Sequence, residues 1–365
     1  MTTNLSCGIV GLPNVGKSTL FNALTRNNAA SENYPFCTID PNLGIVHLQD
    51  PRLETLSKQS QSKKIIPATV SFVDIAGLVK GASQGEGLGN QFLTHIRDTD
   101  AIIMVVRCFE DPNVIHVAGR VNPLDDIEVI TLELVLADLQ MAENAYSRIE
   151  KQAKLKKELQ PAADFLHKAI AHLNQNLPLR ALSLTAEEEI VASQYNFLTK
   201  KKVLYICNVG EEDVPAFDNP LVQIVREYAA KEGSRIVPIC ARLEEEISRL
   251  DEKDVAEFLS SLGLKESGLD RLIKEAFSLL GLITYITTGD IETRAWTIQK
   301  GTTAAPAAGK IHSDLEKGFI RAEVVSFDDM IRYHGRVGAR EAGKARSEGK
   351  DYVVQDGDVI LFFHN

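Results

Sequence analysis

The sequence predicts an α/β chain: a mostly parallel sheet with flanking helices, interrupted by an inserted α-helical hairpin or coiled coil and followed by a small β-rich C-terminal unit. Three observations predict it. Short apolar runs alternate with amphipathic segments up to about residue 127 and again over 200–280. Between them, residues 128–199 read as helix almost throughout, with Ile130, Leu134, Ala137, Met141, Ala145 and Ile149 on one stripe and Leu166, Ile170, Leu173 and Leu177 on another. From 281 onward strand signals return at 295–298, 318–324 and 353–363, with Gly357-Asp358 marking a turn. The expected divisions are 1–127 with 200–280, then 128–199, then 281–365.

The first apolar run, Cys7-Gly8-Ile9-Val10, leads into Gly11-Leu12-Pro13-Asn14-Val15-Gly16-Lys17-Ser18, and a helical pattern opens at Thr19. This unbroken G-x-x-x-x-G-K-S between strand and helix is a phosphate-binding P-loop, and it makes the α/β part a P-loop NTPase of the Ras-like type. Gly11 and Gly16 let backbone N–H groups turn toward phosphate, Lys17 reaches the β- and γ-phosphates, and Ser18 can ligate Mg²⁺. Residues Asn14, Val15, Gly16, Lys17, Ser18 and Thr19 are the expected phosphate cradle. A second motif, Asp74-Ile75-Ala76-Gly77, ends the apolar run 68–73. Asp74 there would hold the metal's shell, and Gly77 would bring an N–H to the γ-phosphate. Between the motifs, Thr38 offers a second hydroxyl to the metal, or is a plain turn residue.

Base selection rests on a later run, 203–207, which ends in Asn208-Val209-Gly210-Glu211. GTPases carry Asn-Lys-x-Asp there, whose carboxylate accepts guanine's N1–H and 2-amino donors. Here Glu211 replaces the acid and Val209 the lysine, so the expected preference is ATP over GTP. Ala241, after the strand 235–239, sits where similar proteins use a small residue whose backbone N–H contacts the base, and that contact is expected here. A decoy N-x-x-D, Asn122-Pro123-Leu124-Asp125, lacks the lysine and a preceding strand.

Together, residues 11–18, Tyr34-Pro35-Phe36-Cys37-Thr38, residues 74–78, the glycine-rich stretch 81–90, Asn208 to Glu211 and the C-terminal segment resemble the YchF, or Obg-like ATPase, branch of the Obg family. The resemblance spans essentially the whole chain. It implies an ATPase that takes GTP poorly, Mg²⁺ at Ser18 and Thr38, association with ribosomes at the large subunit, and a C-terminal β-grasp domain of the TGS type. The alternative within this reading is a slow GTP-binding, ribosome-associated switch whose hydrolysis is secondary to partner binding.

Catalysis departs from the Ras pattern. The residue after Gly77 is Leu78, which cannot orient a water. Either turnover awaits a partner or another group positions the water; His116 has a suitable pKa for that role and is otherwise an ordinary loop histidine. The expected catalytic set is thus Lys17, Asp74, Gly77 and His116. Asn14 could ligate K⁺ beside the phosphates, or serve the backbone of a tight loop. The glycines of 81–90 suit a nucleotide-sensing switch.

Composition sets the remaining expectations. With 44% hydrophobic and 25% charged residues the 365-residue chain is a folded one. Five scattered cysteines indicate neither a disulfide framework nor a zinc site, no run is long enough to span a bilayer, and a cytoplasmic location without membrane partners is expected. The formal net charge is −10, yet Lys151, Lys154, Lys156 and Lys157 cluster mid-insertion, and Arg332, Arg336, Arg340, Lys344, Arg346 and Lys350 outnumber Glu341 and Glu348 near the C-terminus. Each cluster is a solvated face or a contact for RNA phosphates.

Overall fold

The computed structural model describes residues 5–26, 42–75, 87–112 and 120–365. In chain order the elements begin β1 (Ser6–Val10), α1 (Lys17–Arg26), β2 (Leu43–His47), α2 (Pro51–Ser60), β3 (Lys64–Ile66), β4 (Thr69–Asp74), α3 (Gly87–Arg97) and β5 (Ala101–Arg107). Then come α4 (Pro123–Ala153), α5 (Gln160–Leu173), α6 (Ala186–Ala192), β6 (Lys202–Asn208), α7 (Pro220–Lys231), β7 (Arg235–Ile239), α8 (Ala241–Ile247), α9 (Glu252–Ser261) and α10 (Gly268–Leu279). The chain ends β8 (Leu282–Thr288), β9 (Glu292–Gln299), α11 (Ala304–Ile311), α12 (Ser313–Lys317), β10 (Phe319–Ser326), α13 (Phe327–Arg332), α14 (Arg336–Glu341), β11 (Arg346–Glu348) and β12 (Asp358–His364).

The first sheet runs β2-β4-β1-β5-β6-β7, with β4, β1, β5, β6 and β7 mutually parallel where they pair. Its central strand β5 is buried at all seven positions, as a strand covered on both faces must be. Helix starts follow one local recipe: Asp50-Pro51, Asn122-Pro123 and Asn219-Pro220 each put a side-chain acceptor at the N-cap and proline at the next position, where its missing N–H costs nothing. The decoy Asn122 is accounted for in this way: its Oδ1 accepts from Leu124 N at 3.2 Å, and Asp125 pairs with Arg120 at 2.8 Å.

The inserted helices form their own apolar cluster around Val135, Phe165, Leu166, Ala169 and Leu173. Helix α4 is longer than expected at its start, and the turn into α5 falls at 154–159, because Pro161 sits inside the first turn of α5 and does not break it. Lys151, Lys154, Lys156 and Lys157 are exposed at or next to this turn. Buried Asp138 of α4 accepts from the N–H groups of Leu198 and Thr199 at 2.9 and 2.7 Å and from the Thr199 hydroxyl at 2.7 Å, fixing where the chain re-enters the sheet. Burial nonetheless pushes the Asp138 carboxyl above its usual range.

The chain divides into two compact units, Leu5–Gly44 with Ser71–Leu272, and Ile45–Val70 with Ile273–Asn365. Against the three divisions expected from composition, 128–199 shares a unit with the nucleotide part, 273–280 falls with the C-terminal part, and so does 45–70, which by sequence order lies in the nucleotide part. The reason for this last difference is pairing at a distance: Lys64, Ile65 and Ile66 of β3 lie parallel to Glu292, Thr293 and Arg294 of β9. The second sheet accordingly reads β11-β10-β12-β8-β9-β3. Without β3, the hairpin β8–β9, helix α11, and β12 placed parallel to β8 and antiparallel to β10 make a β-grasp arrangement. Its core joins Tyr285, Ala304, Ala307, Ala308, Val324 and Ile360, and the Tyr285 hydroxyl donates to Ala307 O at 2.8 Å.

Half of the C-terminal basic cluster is spent inside this unit. Arg336 and Arg340 pair at 3.4 and 2.8 Å with Glu323, whose side chain is buried on β10. Arg346 lies over the Tyr352 ring at 5.2 Å and pairs with Glu348 at 3.5 Å. Arg332, Lys344 and Lys350 are exposed. Among the described residues no helix is long and apolar enough to cross a membrane.

Candidate functional site

Strand β1 carries the chain to Gly11, and the backbone there passes so close to its neighbours that only glycine fits. A Cβ on Gly11 would lie 2.8 Å from Val105 O, and one on Gly16 would lie 2.2 Å from Asn208 Nδ2. Gly16 also has φ +94°, and Asn14 has φ 63°, the left-handed region that asparagine tolerates better than most residues. The backbone reason for Asn14 is therefore present in the loop. Helix α1 begins at Lys17, with its first closing bond from Leu20 N to Gly16 O at 3.0 Å. The N–H groups of Lys17, Ser18 and Thr19 precede that bond and have no intrahelical acceptor, which is what an anion site at a helix N-terminus requires. Lys17 Nζ is ion-paired with the carboxylate of Asp74, and their side chains are 12% and 20% exposed. The two sequence motifs thus meet at one end of a cavity of about 1100 Å³.

The other end is organised by Asn208, the last residue of β6 and 5% exposed. Its Nδ2 donates to Val15 O at 2.9 Å, and its Oδ1 accepts from Ala241 N at 3.0 Å. One carboxamide therefore ties the P-loop to the strand that follows the insertion and to the first residue of α8. The expected direct contact of the Ala241 N–H with a base is corrected by this bond: that donor is already taken by Asn208, although Ala241 still lines the cavity. Buried Val209 is held by its N–H to Ile239 O at 2.9 Å. Glu211 begins a short 3₁₀ turn, Glu211–Asp213, and its Oε1 lies 3.0 Å from Nε of Arg242.

A third wall comes from the segment after β5. Buried Arg107 donates through Nε to Phe109 O at 3.1 Å and through an Nη to Asp111 O at 3.2 Å, and its guanidinium lies 4.6 Å from the centre of the Phe109 ring. Phe109 and Asp111 line the cavity. A hydrogen bond with Cys207, and burial after it, drives the thiol of Cys108 up from its usual range, and burial does the same to Cys240, keeping both neutral beside the site. Further along α8, Glu244 accepts from Gly268 N at 2.7 Å and Leu269 N at 3.3 Å, and burial pushes its carboxyl up to about 7.

Two family models match the chain: one described as 50S ribosome-binding GTPase over residues 6–144, and YchF-GTPase_C, described as Protein of unknown function (DUF933), over 282–365. The chain is 56% identical over 360 residues to the Ribosome-binding ATPase YchF of Escherichia coli O157:H7, covering 98% of this chain and 99% of that one. The chain belongs to the YchF family. The YchF protein of Bacillus subtilis (strain 168) is 52% identical, with 99% of both chains covered. The solved structure of the Schizosaccharomyces pombe YchF GTPase superposes with a TM-score of 0.88 at 36% identity, covering 99% of this chain and 98% of that one. YchF relatives thus carry both nucleotide names, ATPase and GTPase, which makes the base end of the cavity the part that matters.

In this YchF chain the structure brings Asn14 to Thr19, Asp74, Asn208, Val209, Glu211 and Ala241 into the vicinity of one cavity; Asn14, Gly16, Lys17, Ser18, Thr19, Asp74 and the base-loop residues line it directly. Thr38, Gly77, Leu78, His116, residues 34–37 and most of the glycine-rich stretch lie outside the described residues. Sequence reasoning missed Phe109, Asp111 and Arg242. Arg242 alone left a local signal, a cation directly after Ala241; the other two are placed by Arg107, whose reach back to its own loop has no sequence signature.

Proposed function

We propose that this protein hydrolyses ATP with Mg²⁺, takes GTP less well, and couples nucleotide state to ribosome association in the cytoplasm. The observation that carries the base preference is the pairing of Glu211 with Arg242 where GTPases hold a free aspartate. Val209 and Phe109 offer apolar surface to either purine, so the choice falls to polar groups at the edge.

Lys17 and the orphan N–H groups of α1 bind the β- and γ-phosphates. Ser18 and Asp74, which line the same cavity, offer the hard oxygen donors that Mg²⁺ prefers; Thr38 completes the assignment from its place in the sequence. A bound Mg²⁺ supplies charge neutralisation at the phosphates. His116 is assigned the positioning of water in place of Leu78, and Asn14 the ligation of K⁺, both on sequence position. The relatives' names support the ribosome as partner, and the 50S description supports the large subunit. The exposed lysines at the α4–α5 turn, with Arg332, Lys344 and Lys350, are the candidates for RNA phosphates.

The test is paired titration with ATP and GTP, each with Mg²⁺, in K⁺ and then Na⁺ buffer, followed by phosphate release with and without ribosomes. Tighter ATP binding with ribosome-stimulated release is expected. A clear GTP preference would refute the reading of residues 208–211, and equal rates in K⁺ and Na⁺ would remove Asn14 as a cation ligand.

A further inference from the structure

We infer that Arg242 is a specificity-determining residue, acting against guanine by occupying Glu211. The inference deepens the ATP preference proposed above and rests on that reading of the site.

Guanine presents two adjacent donors, N1–H and the 2-amino group, and a carboxylate reads them best as a fork, one oxygen to each. Glu211 has the carboxylate for this, one methylene longer than aspartate, and lines the same cavity as Val209 and Ala241. Its Oε1 is engaged at 3.0 Å by Nε of Arg242, so the fork is broken and the side chain is turned toward α8. Both partners are anchored to the same hub: Asn208 begins the loop that carries Glu211, and its Oδ1 fixes the amide of Ala241, directly before Arg242. The two backbone segments that carry the pair are therefore held together, while its side chains are 46% and 76% exposed. The guanidinium has a second effect. It carries N–H donors and no acceptor, so it suits adenine's ring-nitrogen acceptors and repels guanine's N1–H edge.

An exposed pair is weak, which sets the size of the effect. Releasing Glu211 should change relative affinity by about three- to fivefold, the upper range for an exposed ion pair. The experiment measures Kd for ATP and GTP, with Mg²⁺, by competition against a fluorescent nucleotide. The proteins are the full-length wild type, Arg242→Ala, Arg242→Lys, Glu211→Gln and the double variant Arg242→Ala with Glu211→Gln, each checked by thermal melting. The expected result is a three- to fivefold shift toward GTP in Arg242→Ala, a smaller shift in Arg242→Lys, and a clearly reduced shift on removing Arg242 when residue 211 is glutamine, where only the guanidinium's own effect on the base is left to lose. An unchanged ratio in Arg242→Ala overturns the inference, as does an equal shift in the Glu211→Gln background. Wild type preferring GTP would instead refute the proposed function. The two failures are distinguishable, because the wild-type ratio tests the ATP preference and the change in that ratio on substitution tests Arg242.

Discussion

Replacing Asn208 tests the idea that one carboxamide holds the two ends of the cavity together. In Asn208→Ala the buried carbonyl of Val15 loses a donor at 2.9 Å and the buried N–H of Ala241 loses an acceptor at 3.0 Å. Val15 is 0% and Ala241 3% exposed, so neither has ready access to water. Two stranded groups at about 1–3 kcal/mol each predict a loss of about 2–4 kcal/mol in unfolding free energy, allowing for partial relaxation. Asn208→Asp is the sharper variant. It keeps an acceptor for Ala241 but turns an oxygen toward the Val15 carbonyl, so it should be worse than alanine despite its closer shape. Urea unfolding reads stability, and nucleotide competition reads affinity, which should fall in both variants. A loss below about 0.5 kcal/mol in Asn208→Ala, or aspartate milder than alanine, would refute the assigned role.

Three further outcomes follow from the same geometry. Gly16→Ala should abolish measurable nucleotide binding, since the added Cβ meets Asn208 Nδ2 at 2.2 Å on a backbone with φ +94°; equilibrium dialysis with ATP checks this. Glu244, raised in the fold from 4.5 to about 7, stabilises the protein most below its unfolded value and loses that contribution as pH rises through about 7. Wild type should accordingly gain on the order of 3 kcal/mol over Glu244→Gln between pH 8 and pH 4.5, measured by urea midpoints; a pH-independent difference would remove Glu244 as the titrating group. Leu56→Ala on α2, fully buried, should cost about 2–5 kcal/mol, and amide exchange should rise in β8 and β9, although residue 56 is far from them in sequence.

Local chemistry was legible and distant pairing was not. The P-loop could be read because the chemistry of phosphate binding constrains consecutive residues, and the place of Asn208 to Glu211 on the cavity because the loop follows a buried strand. The helical insertion is visible in its periodicity, but its turn is not, because Pro161 looks like a break in the pattern and serves as a helix start. Lys64–Ile66 gave no such signal: three residues carry too little pattern to reveal that their partner is β9. Charge counting over 332–350 overstates the free basic charge for a related reason, because Glu323, which pairs with Arg336 and Arg340, lies outside that window on another strand. Arg107 ends an apolar strand, and its role in shaping the 109–111 wall exists only in three dimensions.

The excursion of residues 45–70 has a consequence for biosynthesis. The hydroxyl of Ser60, at the end of α2, accepts from that of Thr288, 228 residues further along. At a translation rate of about 5–20 residues per second, α2 and β3 wait on the order of ten seconds or more for the strand they belong to. During that interval Leu53 and Leu56 have no sheet to cover, so the nascent chain needs shelter for a segment synthesised near its beginning. Cutting the gene before residue 282 would make that wait permanent, and a fragment so made should be judged as an incomplete fold, not as an isolated nucleotide domain.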